Sequence, residues 1–241
     1  MIVSNLIGLL NENVKSWKDF KKRNIKIVED AAQALGSQFK GQSAGTFGSF
    51  GTISFYPAKL LGCFGDGGAI ITNDDALAQK VFLLRDHGRD ESGRVVAWGY
   101  NSRLDNLQAA ILDFKLKSFP EAIERRRVLA GHYHQGLSDI NDLTLPPHPD
   151  ADTRHFDVYQ NYELEASRRD DLRAYLSERG VGTIIQWAGT PVHQFEFLGF
   201  DTHLPKTDAF FENCLMFPMN VSLSDEDVSY VIECVREFYE K

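Results

Sequence analysis

The spacing of apolar residues predicts alternating strands and helices along the first half of the chain. Residues 25–30, IKIVED, form an apolar run that ends in two carboxylates, as a short buried strand does. Two further apolar segments, TISFY and AIIT, flank a glycine-rich stretch and predict strands joined by tight turns. Helical spacing predicts helices over 12–23, 31–35, 74–85, 104–119 and 120–137. In the last of these, Pro120 suits the first turn.

The second half of the sequence predicts a smaller α+β unit. FDVYQNYELEA at 156–166 alternates like a strand, a helix over 168–179 is closed by Gly180, and VGTII predicts the next strand. The last helix starts at Ser224, with Asp227 three residues on as a weak capping box. Residues 125–127 are three arginines, which we interpret as a solvated helix face.

Composition and charge exclude several classes of function. Of 241 residues, 43% are hydrophobic and 25% are charged, which excludes a disordered or fibrous chain. A net charge of -8 disfavours the phosphate backbone, so we expect no nucleic-acid partner. Three cysteines without a CxxC pair, and histidines without ligand spacing, predict neither disulfides nor a metal site and favour the reducing cytoplasm. No apolar run approaches the roughly 20 residues of a membrane helix, so we expect no membrane partner.

One lysine has the setting of a reactive amine. Lys59 lies between an apolar strand and a glycine-rich turn, where burial would lower its pKa and favour attack on a carbonyl. Taken alone, the segment more commonly holds a lysine whose head reaches water. Upstream, however, VEDAAQALGS places Asp30 at a strand end, where ligands bind in α/β sheets. An aspartate that pairs with a pyridine nitrogen, together with a Schiff-base lysine, is typical of pyridoxal phosphate enzymes. A helix cap is the alternative for Asp30.

Four motifs follow one another along the chain: VEDAAQALGS, SFYPAK with GDGGA, RDHG, and GYNSRLDNLQAAIL. In this order they resemble the DegT/StrS-type sugar-nucleotide aminotransferases of the fold-type-I pyridoxal phosphate superfamily. The resemblance runs from about residue 25 to the C-terminus and includes GVGTIIQW and PVHQF. It implies an α/β fold with an aspartate-aminotransferase-like large domain over 1–124 and a smaller C-terminal α+β domain over 125–241. Only 29 residues precede Asp30, too few for the family's first βα units, so we expect an N-terminally truncated large domain.

The resemblance also implies roles at the cofactor. Lys59 would be the catalytic residue and carry pyridoxal 5'-phosphate as a Schiff base, while Asp30 would pair with the pyridine nitrogen. Gln33 would lie against the phenolic oxygen, and Ser54 would bind the phosphate. Asn101 resembles the residue that reaches the phosphate of the neighbouring subunit's cofactor.

On the substrate side, the resemblance points to Arg103, close to Asn101, and to His193 in PVHQF. We therefore predict a homodimeric aminotransferase with active sites at the subunit interface. It would transfer an amino group, with glutamate as the suggested donor, to a nucleotide-linked keto sugar in amino-sugar or cell-surface polysaccharide biosynthesis. Lys59 separates this prediction from the related sugar dehydratases, which have histidine at that position. The second hypothesis is a catalytically impaired member that acts as a regulatory or interaction module, or as one half of a split enzyme.

Overall fold

The structure is a computed structural model, and it describes residues 2–4, 20 and 22–240. Two compact units make up the chain. The first comprises Met1–Glu124 and Asp152–Gln160, and the second comprises Arg125–Ala151 and Asn161–Lys241. The division into domains 1–124 and 125–241 stays a prediction, and the units differ from it in that residues 152–160 return to the first unit.

Ten short strands and six α-helices form in the described residues. The strands are β1 (Ile2–Ser4), β2 (Val28–Asp30), β3 (Gln38–Phe39), β4 (Gln42–Ser43), β5 (Phe50–Ser54), β6 (Gly68–Ile71), β7 (Leu143–Thr144), β8 (His155–Phe156), β9 (Tyr162–Ala166) and β10 (Cys214–Phe217). The helices are α1 (Asp75–Arg85), α2 (Asn106–Leu116), α3 (Phe119–Leu137), α4 (Arg169–Glu178), α5 (Pro205–Asn213) and α6 (Asp225–Tyr239). No helix in this described part of the chain is long and apolar enough to cross a membrane.

A four-stranded sheet in the order β1-β2-β5-β6 organises the first unit. Strands β1, β2 and β5 are parallel, and β6 is antiparallel to β5. The strands predicted from the three apolar runs are thereby confirmed as β2, β5 and β6. The helix predicted over 31–35 is wrong: two successive turns replace it, closed by hydrogen bonds from Ala34 N to Ala31 O and from Ser37 N to Ala34 O. The helix predicted over 12–23 falls almost entirely outside the described residues.

Helices α1 and α2 form where the spacing predicts them. Asp74 caps α1, because its side chain accepts hydrogen bonds from Ala76 N and Leu77 N. These helices bury little of their surface: α1 has no buried residue, and α2 has only Leu112. The first unit therefore depends on its sheet and turns more than on helix packing.

The second unit buries its apolar residues more completely. A three-stranded antiparallel sheet, β10-β9-β7, packs against α4, and α4 packs against α6. The capping box predicted at Ser224 and Asp227 forms, and Gly180 ends α4 in a left-handed conformation at φ +75°. The predicted strand 156–166 is divided into β8 and β9, which belong to different units. VGTII forms only an isolated bridge, between Ile184 and Met216, rather than a strand.

The three arginines at 125–127 correct another sequence expectation. Arg126 is buried, and its burial lowers the pKa of the guanidinium to about 10. Arg125 donates to Asp225 and to the carbonyl of Leu223, and Arg127 donates to the carbonyl of Pro149. They are therefore structural cations of the second unit, not a solvated face.

Candidate active site

Strand pairing brings the candidate polar residues to one face of the main sheet. Asp30 of β2 lies beside Thr52 of β5, and Thr52 lies beside Ile70 of β6. Because side chains alternate along a strand, Ser54 faces the same side as Thr52. Asp30 and Ser54 thus share a face at the carboxyl ends of parallel strands, which is where α/β sheets bind ligands.

One oxygen of the Asp30 carboxylate is held in place. Oδ1 accepts hydrogen bonds from Ala32 N at 3.1 Å and from Thr52 Oγ1 at 3.3 Å. Oδ2 accepts none from the residues that the structure describes. A carboxylate oriented through one oxygen keeps the other available for an external N–H donor.

Lys59 lies in a tight turn that follows β5. Its backbone N donates to Tyr56 O at 2.8 Å. Further along the turn, a Cβ at Gly62 would lie 2.6 Å from the carbonyl oxygens of both Tyr56 and Pro57, so only glycine fits there. The Lys59 side chain is half-buried, and burial lowers its pKa from 10.5, while the negative charge of Asp30 opposes that shift more weakly. The amine is therefore neutral more readily than a solvated lysine.

Ser54 is the last residue of β5, and Gln33 follows the end of β2 by three residues. Ser54 Oγ accepts a hydrogen bond from Tyr56 N at 3.2 Å, which leaves the hydroxyl hydrogen as a donor for a ligand. Gln33 lies half-buried in the turns that follow β2. The structure thus places four of the five predicted cofactor residues on or directly after the neighbouring strands β2 and β5, and their roles stay predictions.

Asn101 and Arg103 line a neighbouring cavity of about 940 Å³ in the same unit. Arg103 Nε donates to Asn101 Oδ1 at 3.1 Å, and a guanidinium nitrogen of Arg103 lies 3.4 Å from Asp86 Oδ1. Thr52, which bonds to Asp30, also lines this cavity. Asn101 and Arg103 are therefore bonded to each other, and Arg103 also forms an ion pair with Asp86. The cavity that they line extends to Thr52, the residue that bonds to Asp30.

His193 belongs to the second unit. Its side chain is only 6% exposed, and its Nε2 lies 2.8 Å from Asp208 Oδ1. Nδ1 is buried and has no hydrogen-bond partner among the residues described. His193 and Asp208 line a cavity of about 340 Å³ together with His203. In the part of the chain that the structure covers, no group of three His, Cys, Asp or Glu side chains could hold a metal ion.

The sequence interpretation missed Thr52 and Asp208. Thr52 could have been found from strand alternation, because it lies two residues before Ser54. Asp208 had no such pattern, since fifteen residues separate it from the histidine that it contacts.

Comparison with known proteins identifies the family of this chain. Residues 1–236 match the model of the DegT/DnrJ/EryC1/StrS aminotransferase family. The chain belongs to this family. A "pleiotropic regulatory protein" of Geobacillus stearothermophilus is 39% identical over 224 residues, which cover 91% of this chain and 59% of the relative. The dTDP-3-amino-3,4,6-trideoxy-alpha-D-glucose transaminase of Streptomyces venezuelae is 36% identical over 225 residues, 91% of this chain and 58% of the relative.

A solved structure of the family has the same fold. S. venezuelae DesV, in complex with a ketimine intermediate, superposes with a TM-score of 0.92 at 33% identity, covering 100% of this chain and 65% of that one. The predicted α/β, fold-type-I class of the DegT family is confirmed, and aminotransferases of this family use pyridoxal phosphate. The chain spans about three fifths of the length of the curated relatives that it matches.

Proposed function

We propose that this chain acts as a pyridoxal-phosphate-dependent aminotransferase on a nucleotide-linked keto sugar. The observation that carries the proposal is a half-buried Lys59 whose pKa is lowered, together with an Asp30 carboxylate that is oriented through one oxygen and whose charge acts on the lysine. A sugar-nucleotide aminotransferase is also what the Streptomyces relative is named.

The residues present fit pyridoxal 5'-phosphate. The acceptor Oδ2 of Asp30 suits a protonated pyridine nitrogen, and the hydroxyl donor of Ser54 suits the phosphate. Gln33 would lie against the phenolic oxygen, and Lys59 would form the covalent bond. Asn101 would contribute to the phosphate site of a second subunit. When bound, the cofactor supplies an electron sink for breaking the Cα–H bond of an amino acid.

Residues of this chain would each have a separate role at the bound cofactor. The Asp30 carboxylate holds the proton on the ring nitrogen, because an opposite charge nearby favours the protonated form. Lys59 Nζ, while neutral, would attack a carbonyl carbon, with the carbonyl oxygen leaving as water, and as a free amine it would take the proton from Cα of the amino donor as a general base. Thr52 and the Ala32 amide keep the Asp30 carboxylate in its orientation.

The finer parts of the proposal concern substrates and assembly. We propose glutamate as the amino donor, a role in amino-sugar or cell-surface polysaccharide biosynthesis, and the cytoplasm as the compartment. Arg103 and His193 would contact the substrate.

We also propose a homodimer, which is supported by the apolar side chains that α2 exposes, Leu107 at 71% and Phe114 at 75%. Sedimentation of the purified chain measures this directly, and a monomer at all concentrations would contradict it.

The central test uses the 241-residue chain itself. Incubation with pyridoxal phosphate should give a visible absorption band, and borohydride reduction followed by peptide mapping should find the cofactor on Lys59. Lys80, exposed on α1, serves as the internal control and should stay unmodified. A cofactor-loaded sample in which Lys59 is unmodified contradicts the proposal. So does a chain that binds no cofactor at saturating concentration.

A further inference from the structure

One buried side chain contacts the backbone on both sides of Lys59. Gln160 Oε1 accepts a hydrogen bond from Leu60 N at 2.9 Å, and Gln160 Nε2 donates to Ala58 O at 3.0 Å. Gln160 is only 7% exposed and belongs to the first unit, as the turn does. The amide thus offers the lysine turn the acceptor and donor that a neighbouring strand would offer.

The segment that carries Gln160 is itself fixed. It follows β8, which pairs antiparallel with β3 of the same unit. Tyr159 has φ +50°, a left-handed conformation that tyrosine rarely adopts. Its backbone N donates to Asp157 Oδ1 at 2.9 Å, and Asp157 and Tyr159 are both buried. A sparsely populated backbone conformation persists only where surrounding contacts impose it, and such positions cluster at functional sites.

We propose that Gln160 is the positioning residue of Lys59, holding the backbone of residues 58 and 60 so that the amine stays half-buried and within reach of the charge of Asp30. The proposal deepens the proposed function and rests on it, because it assigns Gln160 to the lysine of that site. It also explains in functional terms why residues 152–160 belong to the first unit, since this segment carries Gln160.

The length of the lysine side chain makes the position of the amine depend on the turn. A lysine side chain has four rotatable bonds, so a loosened turn lets the amine sample water as well as the sheet face. Burial lowers the pKa of Lys59, and Asp30 is the charged group that opposes this shift. Release of the turn would therefore move the pKa of Lys59 upward, toward 10.5.

A second glutamine that bonds to the backbone near Lys59 offers a matched control. Gln108 of α2 makes an equivalent pair of bonds, because its Oε1 accepts from Phe64 N at 2.8 Å and its Nε2 donates to Phe64 O at 3.3 Å. These bonds hold the chain beyond Lys59 rather than beside it. Gln108→Leu thus removes the same chemistry without releasing the lysine.

The first experiment needs no cofactor. Acetic anhydride labelling of the full chain across a pH series, read by mass spectrometry, gives the titration profile of Lys59. Gln160→Leu should shift this profile to higher pH, whereas Gln108→Leu should leave it in place. Gln160→Met, which matches glutamine in length and removes both hydrogen bonds without adding a charge, should shift the profile in the same direction as Gln160→Leu.

Two results would overturn the proposal: an unchanged Lys59 profile in folded Gln160→Leu, or an equal shift in Gln108→Leu. If circular dichroism shows that Gln160→Leu does not fold, the uncharged and closer-matched Gln160→Met decides by the same criteria. In the loaded enzyme, Gln160→Leu should lower kcat roughly 10- to 100-fold and change the KM of the amino donor by less than about threefold. A wild-type chain that binds no cofactor contradicts the proposed function, while the labelling result still judges Gln160.

Discussion

The two units of this chain use their amphipathic helices differently. In the second unit, α6 buries five side chains and α4 buries two, namely Val228, Val231, Cys234, Val235, Phe238, Leu172 and Leu176. In the first unit, α1 buries none and α2 buries one. The spacing of apolar residues is helical in both, so the pattern establishes that a helix forms but not that its own unit covers its apolar face.

The unit with thinner helix packing carries the candidate chemistry. Asp30, Ser54 and Lys59 lie on its sheet and turns, and all three are half-buried. Few buried apolar contacts are typical of regions that open or rearrange for function. The comparison predicts that substitutions in the first unit affect activity more than stability, and that substitutions in the core of the second unit do the reverse.

Lys59→Ala should give the largest effect. Removal of the amine eliminates both the covalent site and the general base, so transamination should fall about 10³-fold or more. The free energy of unfolding should change by only about 0.5 kcal/mol, because the side chain is half-buried. Steady-state kinetics and urea unfolding measure the two quantities, with Lys80→Ala as the control. A folded Lys59→Ala variant that keeps wild-type turnover contradicts the prediction.

Leu172→Ala should show the opposite profile. Leu172 is 0% exposed in the second unit, and its truncation should cost about 2–5 kcal/mol of unfolding free energy because a cavity remains. Leu107→Ala on α2 is the matched change at a side chain that is 71% exposed, and it should cost about 0.5 kcal/mol or less. Urea denaturation compares them. Equal losses would show that α2 is covered in solution.

The two capped helices separate the units more finely. Ser224 Oγ accepts from Asp227 N at 3.0 Å, so Ser224→Ala should lower the global unfolding free energy by about 1 kcal/mol. Asp74→Ala removes a comparable cap from α1 but should lower the global value less, because a helix without buried residues frays locally. Hydrogen exchange in α1, set beside urea unfolding, distinguishes local from global loss.

The smallest expected effect is a pH dependence at Glu163. This residue is 8% exposed, and burial raises its pKa above 4.5, with a hydrogen bond from Gln186 opposing the shift. Between 4.5 and the raised value, the folded chain binds the proton and the unfolded chain does not. Stability should therefore decrease as pH rises through this window. Unfolding of Glu163→Gln across the same pH series should lack that slope, and an identical slope would locate it elsewhere.

Much of the fold follows from local pattern, and its errors have physical causes. The capping box at Ser224 and the glycine end at Gly180 both arise from interactions between near neighbours. The strand predicted over 156–166 is interrupted between β8 and β9, where Tyr159 adopts a left-handed conformation that its sequence neighbours do not require. The prediction that Arg126 lies on a solvated helix face is wrong for a similar reason, since helical spacing does not reveal which other elements pack against that face.

The sequence alone determined the family, the fold class and the prediction that Lys59 and Asp30 are the reactive pair, because motif order and residue chemistry are local properties of the chain. Only the tertiary structure decided that Thr52 orients Asp30 and that Gln160 holds the backbone around Lys59. Gln160 lies 100 residues from Leu60, and it contacts peptide groups, which every residue has. No pattern of side chains records such a contact, so it becomes visible only when folding brings the two segments together.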